Sequence, residues 1–135
     1  MKKYLLLLLV CVVGLTAFTP GILKDSPEKV VKKALTAYQK GDYVAYSRYL
    51  DPYSPLGEKY QELIESDDPE VQESLKKKEG ADDSYEFKVL GSKMVNRDSA
   101  VVFVRHHHYD TYEEREEEIG LRKIKGNWKI SMSVK

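Results

Sequence analysis

A chain of 135 residues with 22 basic and 22 acidic side chains, 41% hydrophobic residues and a single cysteine is one domain's worth of sequence with no net charge. That balance, without a concentrated basic surface, argues against nucleic acid as a partner, because phosphate binding needs clustered positive charge. One thiol also leaves neither a disulfide framework nor a cysteine metal site.

Lys2 and Lys3 precede an apolar run from Leu5 to Val13, and residues 14–20 then add small and helix-breaking side chains, the order of a secretory signal. Residues 1–21 are therefore expected to be a signal peptide and 22–135 a single domain exported to the periplasm, cell envelope or extracellular space. The apolar run is shorter than the ~20 residues of a spanning helix, so cleavage is favoured over an uncleaved anchor, the one route by which the chain would meet a membrane. Cys11 sits inside this run after Val10, where acylation would want a small residue, and it reads as apolar filler rather than a lipid attachment point. Setting aside Lys2 and Lys3 lowers the 22 basic residues to 20 against 22 acidic ones, about −2 for the mature part.

The mature domain opens with "DSPEKVVKKALTAYQKGD", where Ser26 can cap a helix, Pro27 suits its first position and Glu28 complements the positive end of its dipole. Val30, Val31, Ala34, Leu35 and Tyr38 recur at spacings of three and four and form one apolar stripe, which Gly41 ends. Asp42 then caps a second, shorter helix with Tyr46, Tyr49, Leu50 and Tyr53 on or near one face, stopped by Pro52 and Pro55. This tyrosine stripe is either core packing with hydroxyls at the rim or the lining of a ligand cavity. Residues 56–79 are charged and helix-friendly, and "SDDPE" divides them into two helices, the second carrying Val71 and Leu75. "KKK" at 76 to 78 is the one basic run and reads as a solvated helix end. "EGADDS" separates this helical half from the remainder of the chain.

From Tyr85 the hydrophobic period changes to two. Tyr85, Phe87 and Val89 alternate with charges, "NRDS" marks a turn, and residues 101–104 are β-branched and aromatic. "KGN" leads into a last strand in which Trp128, Ile130, Met132 and Val134 alternate with polar residues. Helices first and four antiparallel meander strands after make the class α+β, the helices packed on one face of a curved sheet.

The conspicuous stretch is "VRHHHYDTYEEREEEIGLRK". A turn centred on Tyr112 and Glu113 would pair Val104 with Leu121, His106 with Ile119 and His108 with Glu117 on the inner face, and His107 with Glu118 on the outer one. His106 and His108 then point the same way, half of what a zinc site needs, with Glu117 as the available third ligand. The chain holds no further histidine to complete the set, so polar lining of a cavity mouth is the favoured reading. The acidic run 113–118 lacks the spacing of a calcium loop and suits a soluble hairpin tip. No activated-serine motif, phosphate loop or paired carboxylates support catalysis.

In their order, the signal segment, "SPEKVVKKALTAYQKGDYVAYSRYL", the charged helical middle, "SAVVFVRHHHYD" and the ending "LRKIKGNWKI" resemble the small bacterial envelope proteins of the domain of unknown function 4878 family, within the nuclear transport factor 2-like, or cystatin-like, superfamily. The most specific pieces are "SPEKVV", "KGDY" and the run Gly126, Trp128, Lys129, Ile130. The resemblance spans residues 24–134 and implies a cone in which a bent sheet wraps a long first helix, with a cavity between them. It supplies no function, because that superfamily includes isomerases and dehydratases, binders of peptides or small molecules, and assembly modules. No motif carrying the acidic base and oxyanion donors of its isomerases matches this sequence.

The reading that results is an exported, non-enzymatic binding or interaction domain without a cofactor, its partner a small apolar ligand or an envelope protein. The expected cavity lining is Val31, Leu35, Tyr38, Tyr46, Tyr49, Phe87, Val104, His106, His108, Trp128 and Met132. Two other readings compete with it. One is an isomerase or hydratase with His106 or His108 as base and a tyrosine as donor; the other is a module that forms homodimers through the open sheet face.

Overall fold

The computed structural model describes residues 24–76 and 84–134. The expected signal segment with Cys11, and most of the expected break at "EGADDS", lie outside the described residues. Within them, helix α1 spans Pro27–Gln39, with Ser26 accepting a hydrogen bond from the Lys29 amide at 3.3 Å and Pro27 in the first turn, where a missing N–H costs nothing. Its buried face is Val30, Val31, Ala34 and Leu35, the stripe expected from spacing. Gly41, at φ 73°, takes the left-handed conformation that closes the helix.

Helix α2 (Tyr43–Ser47) starts as expected, Asp42 accepting from the Ala45 amide at 3.1 Å. It ends sooner than expected. Tyr49 and Leu50 donate to the carbonyls of Tyr46 and Ser47 in a tightened turn, and the backbone then pairs with the last strand. The Ile130 amide donates to Tyr49 and the Asp51 amide to Ile130, both at 2.8 Å, forming a parallel bridge at Leu50. Tyr53, expected on the same face as Tyr46, is consequently 71% exposed.

Helices α3 (Pro55–Glu65) and α4 (Pro69–Ser74) fall where "SDDPE" divides the charged stretch. Ser54 and Asp68 cap them, and both begin with proline. The Gln72 side-chain amide donates to the carbonyls of Leu63, Ile64 and Ser66 at 3.4, 3.1 and 2.6 Å, satisfying groups that the end of α3 leaves open.

Strands β1 (Tyr85–Asn96), β2 (Ser99–His108), β3 (Glu113–Ile124) and β4 (Asn127–Val134) form one antiparallel sheet in the order β1-β2-β3-β4. The class is α+β, and the meander is the expected one. Ala100, Val102, Val104, Ile119, Leu121, Trp128 and Ile130 form the sheet side of a core whose other side is α1 with Leu50. Register shifts at Val89/Gly91, Met94/Asn96 and Gly120/Leu121 interrupt the pleat, and such bulges bend and twist the strands that carry them.

Two details of strand pairing differ from expectation. Val104 pairs with Glu117, His106 with Arg115 and His108 with Glu113, so each β2 residue meets a partner four positions earlier on β3 than expected. The turn is centred between Asp110 and Thr111, two residues ahead of Tyr112 and Glu113: Asp110 accepts from the Thr111 amide at 2.9 Å, and Tyr112 adopts φ 56°. In β4, Ile130 pairs with Leu121 but Met132 with Gly120, so the unbroken alternation through Met132 is interrupted by the shift.

Candidate functional site

The three consecutive histidines separate by strand geometry. β2 alternates, so Ala100, Val102, Val104 and His106 are buried while Arg105 and His107 lie on the other face. On that outer face Arg105 meets Glu116 at 2.8 Å and Glu114 at 3.3 Å, and the His107 ring packs edge-on against Tyr109 at 4.5 Å. These are solvated pairs, each worth at most a few tenths of a kcal/mol to about 1 kcal/mol.

His106 is 5% exposed and is the middle of a three-residue chain across β1, β2 and β3. Its Nε2 lies 2.9 Å from Glu117 Oε1, and its Nδ1 is hydrogen-bonded to the Tyr85 hydroxyl. One proton arrangement satisfies every group: the Tyr85 hydroxyl donates to Nδ1, and Nε2–H donates to the Glu117 carboxylate. In the observed register Glu117 pairs with Val104 and so lies diagonal to His106. Tyr85 also stacks on His106 at 5.7 Å and lies tilted against His108 at 5.1 Å, while its carbonyl accepts from the Gln39 amide at 2.7 Å.

Burial, reinforced by the negative charge of Glu117, pushes the Tyr85 phenol up to about 12. A phenol so held keeps its proton and serves as a donor to His106. Both ring nitrogens of His106 are engaged, which leaves no lone pair for a cation. Among the described residues no group of three or more His, Cys, Asp and Glu side chains is placed to hold a metal.

On the helical side the tyrosines converge. Tyr38 packs against Tyr43 at 5.6 Å and Tyr46 at 5.1 Å, and Tyr46 against Tyr60 at 5.4 Å, with ring planes inclined by 69°, 59° and 71°. Such edge-to-face pairs are the favoured aromatic geometry. They leave an open cleft of about 330 Å³ lined by Tyr38, Tyr43, Tyr60, Leu63, Ser74 and Leu75. Burial is the first cause that raises the phenols of Tyr46 and Tyr60. For Tyr46 the neighbouring Tyr60 and Tyr38 and then Glu117 add to it, and for Tyr60 the neighbouring Tyr38 and Tyr43.

Alkaline titration checks this environment. A phenol whose folded value is raised contributes stability that is complete below the unfolded value near ~10 and is lost as pH rises through the folded one. Tyr85, Tyr46 and Tyr60 should therefore ionise late and together with unfolding, near or above about 12 for Tyr85. A single transition of all tyrosines ahead of any loss of helical circular dichroism would contradict the packing described.

The expected lining residues are divided by the structure. Val31 and Val104 are fully buried, and Leu35 and Trp128 nearly so, in the packed core. Lys123 Nζ lies 5.0 Å from the Trp128 ring centroid. Tyr46, Tyr49 and Phe87 pack against that core partly exposed, His106 and His108 belong to the sheet-side polar group, and Tyr38 is the one candidate on the cleft. Tyr43, Tyr60, Leu63, Ser74 and Leu75 were not singled out as lining. Tyr60 and Ile64 at spacing four on α3, with Leu63 beside them, are the signal that could have located the cleft.

No helix among the described residues is long and apolar enough to cross a membrane. Among curated proteins none matches the chain. Solved structures similar to it include an NTF-2-like protein of unknown function from Shewanella oneidensis, 19% identical over 77% of this chain and 90% of that one, with a TM-score of 0.49. A ketosteroid isomerase-like protein from Erwinia carotovora atroseptica is 18% identical over 78% and 88%, with a TM-score of 0.45. The association domain of CaMKII from C. elegans is 16% identical over 77% and 87%, with a TM-score of 0.43. The family model for the domain of unknown function DUF4878 matches residues 21–131, helical half and sheet alike, and the chain belongs to that family.

Proposed function

We propose that this protein is an exported, non-enzymatic binding domain whose ligand site is the cleft bounded by α1, α2, α3 and the end of α4. The observation that carries the reading is the cleft itself: about 330 Å³, open, and walled by three tyrosines and two leucines with a serine at its edge. That size and mixture, mostly apolar with a few hydroxyls, suits a small organic ligand or an apolar side chain of a partner. The site differs from the cavity expected between the first helix and the sheet, a space filled by Val31, Leu35, Val102 and Val104.

A catalytic reading is less well supported. Of the two histidines that reading offers, His106 spends one nitrogen on Tyr85 and the other on Glu117 beside a phenol held protonated, and His108 has its ring tilted against the same Tyr85 at 5.1 Å. A general base needs a free lone pair within reach of substrate. Export is supported by the order of Lys2, Lys3 and the apolar run that comes after them.

One preparation tests both halves. The protein is recovered from outside the cytoplasm, weighed intact, and its tyrosine ring signals are followed by NMR during titration with two compact probes, choline and 3,3-dimethylbutan-1-ol. A chain shortened near residue 21, with saturable shifts at Tyr38, Tyr43 and Tyr60 and none at Tyr112, is expected. A full-length chain retained in the cytoplasm removes the export half, and rings unmoved by both probes remove the cleft.

A further inference from the structure

The walls of the cleft have an electrostatic character as well as a shape. No Lys, Arg, Asp or Glu is among its six lining residues, so any charge preference comes from ring faces, hydroxyl dipoles and what lies behind them. Three of the six are tyrosines, and Tyr38 stands at 69° to Tyr43 and 59° to Tyr46, which itself stands at 71° to Tyr60. Tyr38, Tyr43 and Tyr60 thus bring three aromatic rings to one uncharged space, and aromatic ring faces attract a cation without a counter-charge. Behind them Tyr46 sits within the field of Glu117, the ionisable end of the sheet-side chain.

We infer that the cleft selects a compact organic cation, a quaternary or methylated ammonium group seated against Tyr38, Tyr43 and Tyr60. The inference rests on the reading of the cleft as the ligand site. An alkylated ammonium fits better than a bare one, because its methyl groups spread the charge, lower the cost of leaving water and pack against Leu63 and Leu75. An anion would meet ring faces and a nearby carboxylate with no donor but hydroxyls to hold it.

Choline and 3,3-dimethylbutan-1-ol differ at one atom, a charged nitrogen in place of a carbon, and so separate charge from shape. At equal ionic strength choline is expected to bind at least about fivefold tighter, with saturable shifts at the same rings. Tyr43→Leu removes one ring while keeping bulk; it should weaken choline several-fold and leave the neutral probe within about twofold. Equal affinities, or tighter binding of the neutral probe, would overturn the cation while leaving an apolar ligand cleft. Equal losses for both probes in Tyr43→Leu would also overturn it, since shape alone would then explain the site. Silence from both probes would overturn the cleft reading with it.

Discussion

Gly57→Ala is expected to destabilise the protein by about 2–3 kcal/mol, although alanine is the better helix former by ~1 kcal/mol. A Cβ at Gly57 would lie 1.9 Å from the Asp51 carbonyl oxygen, 2.8 Å from its carbon and 3.1 Å from Pro52 Cα. All three are backbone atoms of the turn that enters α3, so none can rotate aside. The turn is also pinned: Ser54 donates to the Asp51 carbonyl and accepts from the Gly57 amide. Asp51 in turn, 3% exposed, accepts from Arg122 at 2.9 Å, the Ser131 hydroxyl at 3.2 Å and the Tyr53 amide at 2.9 Å. Moving the turn would break this set. Gly91→Ala is the control, with nothing within 4 Å of its Cβ, and should change stability by less than about 0.5 kcal/mol. Urea unfolding of both variants measures the contrast, and equal midpoints would show that the close approach is not held in solution.

His106→Leu should cost about 3 kcal/mol, because it leaves the Tyr85 hydroxyl and one Glu117 oxygen without their bonds to the ring in a largely buried place. His107→Ala, one residue on and on the solvated face, should stay within about 0.5 kcal/mol. His106→Gln, whose amide offers one donor and one acceptor, should recover part of the loss. Three similar midpoints would mean that the chain from Tyr85 to Glu117 is not what holds this end of the sheet.

The triple histidine shows how far a sequence can be read. Alternation assigns faces, so His106 and His108 were separable from His107 by parity alone, and the displaced register left that assignment intact. Parity says nothing about sliding by an even number of residues, since Val102 and Val104 keep the same face whichever β3 residue they meet. The turn that accompanies the observed register holds Tyr112 at positive φ, a conformation unusual for a bulky side chain. Glu117 lies diagonal to His106 in the expected register as in the observed one, so its nearness was legible, whereas its bond to Nε2 and that of Tyr85 to Nδ1 emerge only from the structure.

The helices obey the same logic. Ser26, Asp42 and Asp68 are side-chain caps from which three helix starts were readable, two of them with a proline next; Pro55, expected only to stop the second helix, instead opens α3 behind the cap Ser54. The end of α2 was not readable, because Leu50 leaves the helix for a backbone partner 80 positions away in β4. The cleft depends on side chains from separate helices meeting in space. Tyr38, Tyr43 and Tyr60 carry no mutual spacing that a periodicity could reveal.

The bridge between Leu50 and Ile130 also bears on how the molecule is assembled. It joins the helical half to the strand made last, and Asp51 reinforces it with a bond to Ser131, 80 residues along the chain. Closing so long a loop carries an entropic cost that local helix formation cannot offset until the whole meander is in place. The turn after α2 and the rim of β4 are therefore expected to form together, each supplying the other's backbone partners at residues 49–51 and 130. The chain should gain and lose its structure as one cooperative body, with its earliest and latest segments committed in the same step.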